Sequence, residues 1–283
     1  MSFRPYHLFN LLSLDVALGA VVSAAFFGRL LHVQILPQAF ILLGIVVWLI
    51  YTADHLLDAW SMKEAAISQR HRFHQKYFIT IAFVFLGAGA ISLVLMFMIR
   101  VQLITAGVVF GTFVVTYLLI NRWLKYFKEL TGSLLYTGGV LLPSWSLYNQ
   151  PLSQNQYLTI GIFLIIVLTN MLIFARFSME EDQRNQQKSL ATILGTQSMN
   201  VLIRITIVAC FLLMIVAATK RITPGLITLF VMETVLVLVF EIKYFRSHDR
   251  YRVYGDAIFL LPALLLILPP PPATVALSLP LAG

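Results

Sequence analysis

Two stretches place carboxylates where an apolar chain tolerates them least. In IYTADHLLDAWSMKEAAISQRHRFHQKY, residues 50–77, an apolar run closes on Asp54 and Asp58 and passes into a basic loop. In ARFSMEEDQRNQQKSLATILG, residues 175–195, a second run closes on Glu180, Glu181 and Asp182 before Arg184 and Lys188. These five side chains are drawn from only twelve acids, in a chain that is 59% hydrophobic and 11% charged. On a helix Asp54 and Asp58 lie one turn apart on one face and can aim at the same ion. Carboxylate oxygens suit Mg²⁺, which takes its remaining ligands from water and phosphate. Arg70, Arg72 and Lys76 are placed to contact phosphate oxygens, arginine by its planar fork and lysine as a point charge. Glu180, Glu181 and Asp182 fan over about 200° of a helix, so at most two can serve one ion. The expectation is that the two loops face each other and hold a metal-bound anion at a membrane surface. The bland reading is a pair of solvated helix ends whose acids neutralise nearby arginines.

A competing constellation uses imidazole. His71 and His74, three residues apart, could join Asp54 and Asp58 around a transition metal such as iron or zinc. Six histidines in the whole chain are fewer than a membrane di-iron oxidase would carry. Asp15 and Glu233 fall inside apolar runs and should face the bundle interior, where they hydrogen-bond, pair or polarise an acceptor hydroxyl. Glu129 beside Lys125 and Lys128 reads as a loop ion pair of little energetic weight.

The elements that must position these groups are membrane helices. A mean hydropathy of +0.87 and repeated apolar runs of about 20 residues exceed the needs of a soluble core, and each run can cross a hydrocarbon layer. Continuous rather than alternating apolarity disfavours a β-barrel. The fold class is therefore all-α, a polytopic bundle. Nine spans are expected, near residues 8–31, 35–58, 77–99, 101–120, 130–148, 157–176, 200–219, 224–243 and 257–276. Gly132, Gly138, Gly139 and Pro143 allow close approach and a bend in the fifth, and Pro269–Pro272 interrupt the ninth. The first run carries Asp15 and is too long for a cleavable signal peptide. Cys210, the single cysteine, is a packing residue and excludes an internal disulfide.

A pI near 9.7 would suggest nucleic acid in a soluble protein. Here the cations lie in short loops, 15 on the side of the N-terminus and 4 on the other, which places the N-terminus and both acidic loops in the cytoplasm. The inner membrane of a bacterium is the expected location, with no nucleic-acid partner. Acid-tipped runs recur four spans apart, a weak internal repeat.

The two loops resemble the paired motifs of the UbiA superfamily of intramembrane prenyltransferases, N-D-x-x-D-x-x-x-D and D-x-x-x-D-x-x-x-G followed by K-S or K-T. YTADHLLD matches the last two aspartates of the first motif as Asp54 and Asp58, with Ile50 and Tyr51 where N-D would stand. In the second, Asp182, Lys188, Ser189 and Gly195 fall into register, while Ser178 and Gln186 occupy the positions of the first aspartate and the glycine. The resemblance implies one transmembrane domain over residues 1–283, an all-helical bundle around a central cavity. It implies Mg²⁺ bridging the motifs to an isoprenyl diphosphate, and transfer of the isoprenyl group to a lipophilic or aromatic acceptor. Asp54, Asp58 and Asp182 would be catalytic, with Glu181 joining them on the metal. Tyr51, Arg70, Arg72, Lys125 and Lys188 would bind the substrate, and Tyr117, Tyr136 and Trp145 are candidates to line the cavity. Within the same superfamily the alternatives are a terpene cyclase and a non-catalytic lipid-binding or assembly protein, the latter favoured by Tyr51 and Ser178.

Overall fold

A computed structural model describes residues 5–61, 69–120, 124, 126–184, 189–247 and 249–267. All regular elements among them are helical. In chain order they are α1 (Pro5–Leu11), α2 (Leu14–Leu30), α3 (Pro37–Ser61), α4 (Gln69–Lys76), α5 (Phe78–Met96), α6 (Val101–Ile120) and α7 (Lys128–Trp145). There follow α8 (Gln154–Phe177), α9 (Met179–Arg184), α10 (Leu190–Lys220), α11 (Pro224–Glu241), α12 (Lys243–Arg246), α13 (Arg250–Ala257), a 3₁₀ turn at Ile258–Leu260 and α14 (Ala263–Ile267).

Six of these helices, α3, α5, α6, α8, α10 and α11, are long and apolar enough to cross a membrane, and the chain is an integral membrane protein. The expected count of nine is not met in that form among the described residues. The first expected span is broken between α1 and α2, where Ser13 adopts φ 54°. The break frees backbone groups that polar side chains then satisfy: Trp48 Nε1 donates to the Leu12 carbonyl at 3.0 Å. The Asp15 carboxylate accepts from the Asn10 amide and from the Val16 N–H. The fifth, α7, opens on Lys128 and Glu129 and contains Pro143, so it is less apolar than the others. The described part of the ninth, which follows α13, is the 3₁₀ turn and α14; Pro269–Pro272 lie outside the described residues.

The core is built on α8, packed between α7, α10 and α11. Ile162, Phe163, Ile166 and Ile173 of α8 meet Met199 and Ile203 of α10 and Leu229, Met232 and Leu236 of α11, all fully buried. Small residues along α2, Ala17, Gly19, Ala20 and Ala24, let it run through the middle of the bundle, touching α3, α7, α13 and the 3₁₀ turn. Asp15 and Glu233 are both fully buried, as an intramembrane carboxylate must be. By contrast α5 packs on α3 and α6 on α7 by one side only. The rest of their surface is apolar and exposed, Phe83 and Phe113 included, as befits helices facing lipid. Cys210 is buried, as a packing residue should be.

Candidate functional site

The first acidic group sits on the last turns of α3. Asp54 and Asp58 are half-buried and Tyr51 lies one turn before Asp54. Beside them α4 folds back against α3. His74 is buried, its ring 5.0 Å from that of His55, while His55 Nε2 and Ser13 Oγ lie 3.2 Å apart. These two histidines therefore tie α4, α3 and the α1–α2 break together. Among the described residues no three His, Cys, Asp or Glu side chains are grouped to hold a metal; the expected transition-metal constellation includes His71, whose side chain lies outside them. Arg72 is exposed, and Lys76 sits over the Tyr77 ring, 5.2 Å from its centre. The side chains of Arg70 and His71 lie outside the described residues, as do Lys125 and Lys188.

The second group is carried by α9, a short continuation of α8. Ser178, where the resemblance expects an aspartate, donates its hydroxyl to the Phe174 carbonyl at 2.8 Å, and the Asp182 N–H donates to the Ser178 carbonyl at 2.9 Å. Ser189 caps α10: its Oγ accepts from the Thr192 N–H, and Thr192 Oγ1 accepts from the Ser189 N–H, a reciprocal box. Gly195 interrupts α10 at φ 76° and ψ 170°, a backbone that only glycine adopts without strain. Gly195 therefore has a local physical task, to turn the motif loop into the long helix.

What joins the two groups is α7. Glu129, read from the sequence as a loop ion pair, is only 6% exposed, and its Oε1 accepts from the Leu190 N–H at 3.2 Å, at the start of α10. Tyr117, on α6, lies within electrostatic reach of both Asp54 and Glu129. Glu129 in turn feels Asp182. Asp54, Tyr117, Glu129 and Asp182 thus form a chain of neighbours at one end of the bundle. Lys128 and Arg252 also act on Asp182, and the Ser189 hydroxyl lies beside it. Burial holds the Asp182 carboxyl above the ordinary carboxylate range, against the pull of Ser189, Lys128 and Arg252, while Glu181 adds to the rise.

Of the expected lining residues, Tyr117 is at this junction, its hydroxyl against Gly132. Tyr136 lies deeper, its ring 5.1 Å from that of Phe259 and within electrostatic reach of Tyr51, Asp256 and Asp15. Trp145 is 51% exposed at the far end of α7 and does not line the junction. A groove of about 590 Å³ opens between α6 and α7 beside Phe110, Phe113, Leu142 and Ser146. It is lateral, toward the end of α7 remote from Glu129, and touches none of the acids. Glu129, Lys128 and Arg252 were missed in the sequence because each looks like an ordinary loop charge. Only the helices that bring their loops together distinguish them.

No protein-family profile matches the sequence, and no curated protein matches it. The chain is similar to a solved structure, the apo structure of a UbiA homolog from Aeropyrum pernix K1, with TM-score 0.62 and 14% sequence identity, over 94% of this chain and 100% of that one. The likeness establishes a shared fold.

Proposed function

We propose that this chain is a UbiA-type intramembrane prenyltransferase that moves an isoprenyl group from its diphosphate to a lipophilic acceptor at a membrane surface. The observation that carries this reading is that the two acid-bearing segments are linked through side chains between them: Tyr117 lies near Asp54 on α3 and near Glu129, and Glu129 lies near Asp182 on α9. The shared fold supports it. The candidate donors are all carboxylates, which suit Mg²⁺ shared with phosphate oxygens. Asp54 and Asp58 would hold it on one side and Asp182, with Glu181, on the other. When bound, Mg²⁺ supplies charge stabilisation to the departing diphosphate. The chain's own part is to hold the diphosphate near Lys128, to keep Tyr117 within reach of Asp54, and to seat the isoprenyl chain among apolar side chains away from water. An inner bacterial membrane, with the acidic end facing the cytoplasm, completes the proposal.

The test is release of diphosphate by purified protein given an isoprenyl diphosphate and Mg²⁺. Asp54→Ala and Asp182→Ala should each lower the rate by roughly 100-fold or more, the scale of losing an electrostatic contact to the reacting group. If both variants turn over like the unmodified protein, the site is wrong. One observation favours a second reading, a binder without turnover: Ser178, whose hydroxyl donates to the Phe174 carbonyl, is neutral and does not supply the negative charge of the missing aspartate. Metal-dependent diphosphate binding with no product is the result expected of that reading.

A further inference from the structure

The last helical segment on the acidic side reaches the site through one glycine. A Cβ on Gly255 would collide with Asn170 Oδ1 and the Phe174 ring, so its absence lets α13 lie directly against α8. Arg252, three residues earlier, is thereby held above the Phe174 ring at 5.9 Å from its centre, and its Nε donates to Tyr251 Oη at 3.1 Å. The terminal amino groups of its fork have no hydrogen-bond partner among the described residues, although Glu181 and Asp182 act on it electrostatically. Lys128 approaches Asp182 from α7 and likewise closes no ion pair with it among the described residues. Two cations thus stand near an acid from different elements without touching it. A lone anion would be repelled by Asp182 and Glu181, and a lone metal ion by Lys128 and Arg252. A phosphate group carrying a divalent cation satisfies both, the cation toward the carboxylates and the oxygens toward the guanidinium fork.

We propose that Arg252, with Lys128 across from it, receives the diphosphate group of the substrate and of the released product. This rests on the prenyl-diphosphate reading above and adds to it a cation supplied from outside both acidic motifs. The experiment is isothermal titration of the purified full-length protein with inorganic diphosphate, with and without Mg²⁺. Unmodified protein should bind diphosphate in Mg²⁺, and Arg252→Gln should weaken that binding by roughly tenfold or more, the scale of a charge-assisted hydrogen bond. Arg252→Lys should recover part of the loss, and Lys128→Gln should weaken binding independently. Arg250→Gln should leave it unchanged, because that guanidinium stacks on Tyr244 at 4.0 Å and is not among the charges felt by Asp182. A thermal melt of each variant separates lost contacts from lost packing against Phe174 and Tyr251. Should unmodified protein bind diphosphate in an Asp54-dependent way while Arg252→Gln and Lys128→Gln bind equally well, this inference falls and the prenyl-diphosphate reading stands. Should unmodified protein not bind diphosphate at all, both fall.

Discussion

Asp182 shows what a single residue concedes to a site. Its carboxyl is pushed above the ordinary range chiefly by burial, so in the folded state the proton is held to a higher pH than in the unfolded chain. The sign follows: Asp182 favours folding while protonated, and that contribution is lost as pH rises through its raised folded-state value. At neutral pH the ionised group is therefore a local cost to stability. In metal-free protein Asp182→Asn should raise the melting temperature at pH 7 to 8, and the gain should shrink as pH falls and the Asp182 carboxyl takes up its proton. A melt series in which the variant is less stable at pH 8 would contradict this account. Activity should move the other way, since the same carboxylate is the proposed metal ligand. Glu129 carries the complementary lesson. Its type and its neighbours Lys125 and Lys128 announced a surface ion pair, yet its Oε1 serves as an acceptor for the start of α10, 61 positions away.

At the scale of elements, the informative feature is where helices stop. The Gly195 backbone conformation lets the Ser189-capped turn join the membrane-crossing part of α10 at an angle. Space is available for a side chain there, so the penalty of substitution is conformational and not steric. Gly195→Ala should cost about 1–3 kcal/mol of stability. It should also displace Ser189 from Asp182, and reversible unfolding in mixed micelles would measure the first effect. A melting temperature equal to that of unmodified protein would mean that the break is not needed. The other boundaries follow from the same physics of unsatisfied backbone. The apolar run 8–31 reads as one span by hydropathy, but the break at Leu12–Ser13 is stabilised by Trp48 and Asp15, partners that a hydropathy window does not weigh. The fourth expected span, 101–120, coincides with α6. It has no such polar interruption and only needs to face lipid.

For the whole molecule the arrangement is a core of α7, α8, α10 and α11 with α2 threaded through it, and α3, α5 and α6 at the flank. Glu129 and Trp145 lie at opposite ends of α7, which sets the acidic end apart from the end marked by the lateral groove. In the proposed orientation, which rests on charge asymmetry, the acidic end faces the cytoplasm. Because Cys210 is fully buried, single cysteines can report on this directly. In right-side-out vesicles a cysteine at Asn149 should react with a membrane-impermeant maleimide, and one at Ser247 should react only after the membrane is opened. The opposite pattern would invert the proposed orientation and move the diphosphate chemistry to the other face.

What the sequence determined by itself was the solvent and the class: long apolar runs leave a helical membrane bundle as the solution that satisfies every backbone group in lipid, and short basic loops set its expected orientation. It also marked Asp54, Asp58 and Asp182, because five of only twelve acids gather at the ends of two apolar runs. Only the tertiary structure decided which neighbours link those acids. Tyr117, Lys128, Glu129 and Arg252 come from three helices, α6, α7 and α13, and nothing in their local composition separates them from routine packing aromatics and loop charges. Their standing depends on packing, on α7 reaching the start of α10 and on α13 lying against α8 through Gly255, and contact across helices leaves no periodic mark in the chain that makes it.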